Sequence, residues 1–362
     1  MHHNIGVLVK FPQKEITMRQ PRIHATLVLK KISSFGWYIS TGLVVFLVLS
    51  LLSKYTTPVS AAQTTPPPYA HGWYINNPDT STNGAMYILG QTDGSRDNTN
   101  CTNSAVILDF GQVYYQEGVY GASDFNSAAF VSDTTIQQAA ERYAAGWYNK
   151  TGSCPKLHII IAVNNYDQCR SGGTCTPYAA GQQWGNVVNN VQTWLNNSGY
   201  SWQITAWGGD DMEQPSNDPV NKWWDCPTKT RNFVDGFNSN DPSGAEFIDY
   251  GTAWVPATCI AYNDRGWTAS DVYYVAYGAG TPEYPQPEIY KLSALNSWIN
   301  LGYYLFYEGV LTDCNQADPI TGTYCAGSST AWTPTYAWQQ LWNNVSSQGT
   351  LDYATNIKYQ GQ

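Results

Sequence analysis

From Ser104 onward the apolar positions fall into two patterns that take turns. Short runs with nearly every position apolar read as strands buried on both faces: Ala105–Phe110 (A-V-I-L-D-F), Leu157–Val163 (L-H-I-I-I-A-V), the stretch from Trp202 to Gly208-Gly209, Glu246–Tyr250, Val272–Tyr277 and Tyr303–Tyr307. Between them, apolar residues recur at helical spacing. Ile136, Ala140, Tyr143 and Trp147 share one face of Thr135–Tyr148. Trp184, Val187, Val188, Val191, Trp194 and Leu195 mark a helix that stops near Ser198-Gly199. Further helices are expected over Val220–Phe237 and over Glu288–Leu301, the latter turning Ile289, Leu292, Trp298 and Ile299 inward. A last helix opens at Thr333-Pro334, a capping residue with Pro at the first turn, and buries Trp338, Leu341, Trp342 and Val345.

Strand and helix in alternation predict an α/β fold with a parallel sheet. No Gly-rich phosphate fingerprint follows the first strand, and the domain size suits a (β/α)8 TIM-type barrel better than an open doubly wound sheet. Only six βα units are visible, so the barrel is expected to be incomplete or irregular. Ala85–Leu89 and Ala128–Val131 are the candidates for the two missing strands. The barrel domain is assigned to residues 104–362. Residues 63–103 read as a Pro-rich linker, Gln63–Pro68, and a loop-rich lead-in, Tyr69–Asn103, crowded with Asn, Asp, Gly, Ser and Thr.

Residues 1–62 read as a leader. Gly42–Leu52 is an apolar core behind Lys30-Lys31, and Ser60-Ala61-Ala62 supplies small residues for cleavage. An uncleaved anchor is the alternative, since weakly apolar residues from Phe35 lengthen the run. Either reading exports the remainder, as a secreted protein or as one held at the cell surface, with the membrane touched only through this segment. The leader carries seven of the 18 Lys and Arg and one of the 27 Asp and Glu, leaving 11 basic against 26 acidic residues. So acidic a body argues against a nucleic-acid partner. All eight cysteines lie in the exported part, which predicts disulfide-stapled loops, with Cys169–Cys175 and Cys314–Cys325 as local pairs. No C-x-x-C occurs and only His71 and His158 remain outside the leader, so no metal site and no cofactor is expected.

Acids then recur at the ends of the expected strands: Asp109, Asp210, Asp211, Glu213, Asp249 and Glu308, together with Asn164. Lone buried carboxylates are costly, and several in one concavity push one another's pKa apart. Glycoside hydrolysis needs that division into one acid and one carboxylate. Asp210 fits a capping or turn role as well, Asp249 a buried hydrogen bond, and Glu283 and Glu288 in T-P-E-Y-P-Q-P-E a rim. Tryptophan and tyrosine are abundant, and flat rings with a polar edge suit sugars. Trp207, Trp254, Tyr277, Asn164 and Asp249 are the candidate substrate contacts. There is no G-x-S-x-G, H-E-x-x-H or Walker loop.

L-D-F-G-Q at Leu108–Gln112 and D-M-E at Asp211–Glu213 resemble the first-strand Asp and the D-x-E of glycoside hydrolase family 25 muramidases. Adding I-D-Y-G-T-A at Ile248–Ala253 and P-Q-P-E-I-Y at Pro285–Tyr290, the chain resembles secreted bacterial glycoside-hydrolase-like barrel proteins from about Ala105 to Val345. The resemblance implies Glu213 as proton donor, with Asp109 and Asp211 orienting or stabilising charge. Glu308 offers a second assignment, since it resembles the late-strand Glu nucleophile of other glycosidases. The function expected is therefore a secreted glycoside hydrolase acting on a polysaccharide or on peptidoglycan. A non-catalytic glycan- or cell-wall-binding barrel, or a structural surface protein, is the alternative. The sequence gives no reading of oligomeric state.

Overall fold

The computed structural model describes residues 65–360, apart from 126, 168, 170–174, 216–223, 241–244, 256–257, 260–263, 280–283, 302–305, 314–330 and 349. The leader, Cys314–Cys325, Glu283 and most of Tyr303–Tyr307 lie outside the described residues.

Eleven strands are described: β1 (Tyr69–Tyr74), β2 (Ser104–Gln116), β3 (Val119–Ser123), β4 (Phe130–Ser132), β5 (Leu157–Asn164), β6 (Ile204–Asp211), β7 (Phe247–Asp249), β8 (Thr258–Cys259), β9 (Asp264–Arg265), β10 (Gly309–Thr312) and β11 (Tyr353–Tyr359). Seven of them form one parallel sheet in the order β10-β11-β1-β2-β5-β6-β7. Residues 285–289 fill the eighth place without becoming a regular strand. On one side Gln286 N–H donates to Asp249 C=O (2.9 Å) and Glu288 N–H to Gly251 C=O (3.0 Å). On the other, Ile289 N–H donates to Leu311 C=O and Leu311 N–H to Pro287 C=O, both 2.9 Å, with one parallel bridge between Glu288 and Leu311. The result is an irregular (β/α)8 TIM-type barrel: seven strands and one kinked stretch. β3 and β4 hang from β2 as an antiparallel extension, and β8 and β9 pair separately.

The helices are α1 (Ala85–Asn100), α2 (Asp133–Lys150), α3 (Pro177–Asn197), α4 (Pro227–Ser239), α5 (Ala269–Tyr273), α6 (Leu292–Ile299) and α7 (Pro334–Val345). Alternation along the strands builds two cores. Val106, Leu108, Ile159, Ile161 and Val163 face the helices and meet Tyr143, Trp147, Trp184 and Val188. Ala105, Ile107, Ile160, Trp207, Ile248, Leu311 and Ile357 fill the barrel interior. Thr333 caps α7 as expected, accepting from Tyr336 N–H with Pro334 in the first turn.

Several elements differ from the sequence expectation. The stretch read as a loop-rich lead-in carries β1, which sits inside the sheet, and α1, which contains Ala85–Leu89. The buried residues of α1 are Met86, Gly90, Asp93, Gly94 and Asp97, so beyond Met86 its core face is glycine and aspartate. The glycines let backbones meet: a Cβ on Gly90 would lie 2.1 Å from Tyr143 O, and one on Gly146 2.0 Å from Tyr87 O. Asp93 accepts from Trp73 Nε1 (2.9 Å) and Tyr143 OH (2.7 Å), and Asp97 from Trp147 Nε1 (2.9 Å). Val272–Tyr277 is helical, running from α5 into a π-helical turn at Tyr274–Gly278. Thr268 and Asp271 close a capping box there, and Val272, Val275 and Ala276 are buried at helical spacing. The helix expected from Glu288 starts only at Leu292, which is 57 % exposed. Ala128–Val131 overlaps β4, outside the barrel ring, and the missing ring strand at the C-terminal side is β11.

Cys169 pairs with Cys175 as expected, closing the loop after β5, and Cys101 pairs with Cys154. Cys226 is also disulfide-bonded. No helix among the described residues is long and apolar enough to cross a membrane.

Candidate active site

All seven strands run in one direction, so their carboxyl ends open on the same mouth. Inward-facing positions there bring Tyr74 from β1, Asp109 from β2, Asp211 from β6, Tyr250 after β7 and Glu288 from the irregular eighth stretch into one group. Asp211, Glu213 and Glu288 each place a carboxylate oxygen within 4.8 Å of the others.

Local structure fixes each of these acids. Asp211 ends β6, directly opposite Asn164 of β5 in register, and is 6 % exposed with Oδ1 unpartnered. Glu213 lies two residues on, and its backbone is clamped by one side chain: its N–H donates to Asn165 Oδ1 (2.9 Å), and its C=O accepts from Asn165 Nδ2 (2.8 Å). Thr252 Oγ1 approaches Glu213 Oε2 at 3.4 Å. Glu288 is 5 % exposed, accepts a hydrogen bond from Tyr290 OH and brings its carboxylate within 4.8 Å of that of Glu213. Asp109 accepts from Gly111 N–H (2.9 Å) and Tyr250 OH (2.8 Å).

Burial is the main cause of high pKa values throughout, and the neighbouring acids add to it. The Glu213 carboxyl is pushed up to about 8, first by burial and then by the charge of Asp211. Glu288 is raised by burial and then by Glu213, and Asp211 by burial and then by Glu288 and Asp109. Burial alone takes Asp109 up to about 7 against its two donors. Burial and like charge together favour a proton on the Glu213–Glu288 pair. Three carboxylates this close could also hold a divalent cation.

The nine candidate residues do not all meet here. Asp211 and Glu213 are central, Asp109 flanks them through Tyr250, and Asn164 stands buried beside Asp211 with its Oδ1 accepting from Tyr166 N–H (3.0 Å). Asp109 belongs to the second strand of the ring, because β1 precedes it. Trp254 is 46 % exposed and lines a cavity of about 320 Å³ together with Glu213, Gln214, Thr252 and Lys291. Glu308 is elsewhere. It precedes β10 at the amino end of the strands, where its carbonyl accepts from Asp352 and Tyr353 N–H, and where Glu246 and Asp352 help burial raise its carboxyl to about 8. Trp207 lies deep in the barrel interior against His158, ring centroids 3.7 Å apart. Tyr277 packs between Tyr273 and Tyr284, and Asp249 lies beside Asp210.

Glu288 was read as a rim residue. A signal was present in Pro285 and Pro287: each disfavours helix in the residue before it, so Gln286 and its neighbours are held extended and the helix cannot begin at Glu288. Gln286 and Glu288 then fall on one side of an extended stretch.

No protein-family model matches this chain, and no curated protein matches it. Solved structures with a related course of chain include the chitinase domain of the spore coat protein CotE from Clostridium difficile (12 % identity, TM-score 0.30, covering 82 % of this chain and 66 % of that one). They also include a GH113 β-1,4-mannanase (10 % identity, TM-score 0.37, covering 82 % and 89 %) and a complex structure of GH113 β-1,4-mannanase (10 %, 0.35, 81 % and 87 %). This chain thus spans just under two thirds of the chitinase-domain chain. Such low identities and scores do not bear on this chain's chemistry.

Proposed function

We propose that the protein is a glycoside hydrolase acting outside the cytoplasm on a polysaccharide, cell-wall glycan included, with Glu213 and Glu288 as the working pair. The observation that carries this reading is the convergence of Asp211, Glu213 and Glu288, each with a carboxylate oxygen within 4.8 Å of the others, at the mouth of a barrel. Glu213 lines the open cavity where a leaving-group oxygen can arrive, so it is the proton donor. Glu288 is more deeply buried, which raises its carboxyl, while the phenol of Tyr290 donates to it and opposes that rise; it is assigned the attacking role because Glu213 holds the cavity side. Asp211 keeps the proton on the pair by like-charge repulsion, and Asp109 with Tyr250 completes the wall behind it. With nearest oxygens no more than 4.8 Å apart, the pair lies closer to the about 5–5.5 Å of retaining enzymes than to the about 6.5–9.5 Å of inverting ones, which need room for a water. The disulfides Cys101–Cys154 and Cys169–Cys175 support an oxidising compartment.

The test is reducing-end release from mannan, chitin and peptidoglycan by the protein and by Glu213→Gln. Loss of a proton donor is expected to lower turnover by about 10²–10⁴ with the fold unchanged, and the product anomer read by NMR should be the retained one. Cleavage undiminished in Glu213→Gln, or no release from any glycan, would sink the reading.

A further inference from the structure

The cavity beside Glu213 does not end there. A second one, about 390 Å³, shares Ala253, Trp254, Ser293 and Ser297 with it, so the two form one groove leading away from the acids. One wall is a single face of α6: Ser293, Asn296, Ser297 and, at the C-cap, Asn300 stand at i, i+3, i+4 and i+7. Those seven steps cover about 10 Å of helix, longer than one sugar ring. The other wall is Trp254, a large ring left 46 % exposed. Its position is fixed from below: Gln214 Oε1 accepts from Trp254 N–H (2.9 Å) and from Thr252 Oγ1 (2.6 Å), while Gln214 Nε2 donates to Thr252 C=O (2.8 Å). Among the described residues, the ionisable side chains lining the groove are Glu213 and Lys291, both at its inner end. Beyond them it offers hydroxyls, amides and an aromatic face.

Resting on the hydrolase reading above, we propose that an uncharged glycan chain lies along this groove, stacked on Trp254 and hydrogen-bonded to the Ser and Asn face of α6. The substrate is then a neutral polymer gripped over several sugars on one side of the scissile bond. Hydroxyls of a sugar pair with amides and serines while its apolar face covers the indole. Among the described residues, an anionic polymer would find no cation along the outer half.

The experiment is calorimetric binding to the non-hydrolysing Glu213→Gln protein, using manno-oligosaccharides and N-acetylated chito-oligosaccharides from disaccharide to hexasaccharide. Affinity for one ladder is expected to rise with length. Adding Trp254→Ala should weaken the hexasaccharide about tenfold and leave the disaccharide unchanged. Adding Ser297→Trp, which fills the groove from the helix side, should remove the length dependence without lowering Tm. Binding of both ladders unchanged by either substitution overturns the proposal, as does equal loss at every length, or no binding at all. Because binding is read without turnover, the two readings fail separately. Length-dependent binding with no cleavage by the unaltered protein sinks only hydrolysis; cleavage with no length dependence sinks only the groove.

Discussion

Asp210 and Asp211 are neighbours on β6, and the pleat sends them to opposite sides of the barrel wall. Asp210 shares a row with Val163 and Asp249, on the side facing the helices. Both are fully buried, both oxygens of Asp210 lack partners, and Asp249 Oδ2 lacks one as well. Asp211 turns inward to meet Glu213 and Glu288 beside an open cavity. Burial raises the pKa on both sides, so a perturbed carboxyl is no mark of chemistry by itself. What separates the two is convergence and access: the inner acids meet beside a cavity that a ligand can enter, and the outer pair is sealed.

The strongest way to break this contrast is Glu288→Gln. Turnover is expected to fall by about 10²–10⁴, and the double variant with Glu213→Gln should lose scarcely more than either single one, because residues acting as a unit are not additive. A full additional loss in the double variant, or normal turnover in Glu288→Gln, would remove Glu288 from the site.

The outer pair should instead answer in stability. Asp249 has its carboxyl pushed from the ordinary 3.8 up to about 8, chiefly by burial. The folded protein therefore binds this proton more tightly than the unfolded chain does. Its contribution to stability is present at low pH and is lost as pH rises from about 4 through about 8. Asn at position 249 keeps an acceptor for Gly251 N–H and carries no charge. Asp249→Asn is expected to raise unfolding free energy at pH 8, to flatten the pH dependence of the urea midpoint, and to leave turnover of the same order. Equal pH slopes in both proteins would refute the account.

The smallest effect is expected at the other end of the barrel. Glu308→Gln should leave turnover unchanged and shift stability by less than about 1 kcal/mol, read by thermal unfolding beside the activity assay. A loss like that of Glu288→Gln would mean that the two ends are not separate.

What the sequence could and could not show follows from the same geometry. Strands β2, β5, β6 and β7 were legible because their residues are apolar on both faces, and α2, α3 and α7 because their buried faces are apolar at helical spacing. Asp211 and Glu213 could be placed at a strand end from the sequence because they follow an apolar run that stops at Gly208-Gly209. β1 and α1 were not, since α1 buries glycine and aspartate, and its hydrogen bonds to Trp73, Tyr143 and Trp147 are invisible until those rings are placed. β11 (Y-A-T-N-I-K-Y) was missed because Asn356 and Lys358 interrupt its apolar positions. Val272–Tyr277 misled because tyrosine and valine favour strands while their buried spacing is helical. Glu308 was drawn into the site because a strand was expected to end there, whereas β10 begins just after it.

β11 lies between β10 and β1, so the first strand of the ring gains its second neighbour only from the last. Gln360 then fastens the seam, accepting from the N–H groups of Asn76 and Asn77, the former 284 positions away. During synthesis, β1 must wait with one edge unpaired until Tyr353–Tyr359 has been made. High contact order of this kind slows folding, and an open strand edge invites pairing with other chains. The barrel seam therefore sets a timetable: the interval between the emergence of Tyr69–Tyr74 and that of Tyr353–Tyr359 is when this protein is most exposed to misassembly.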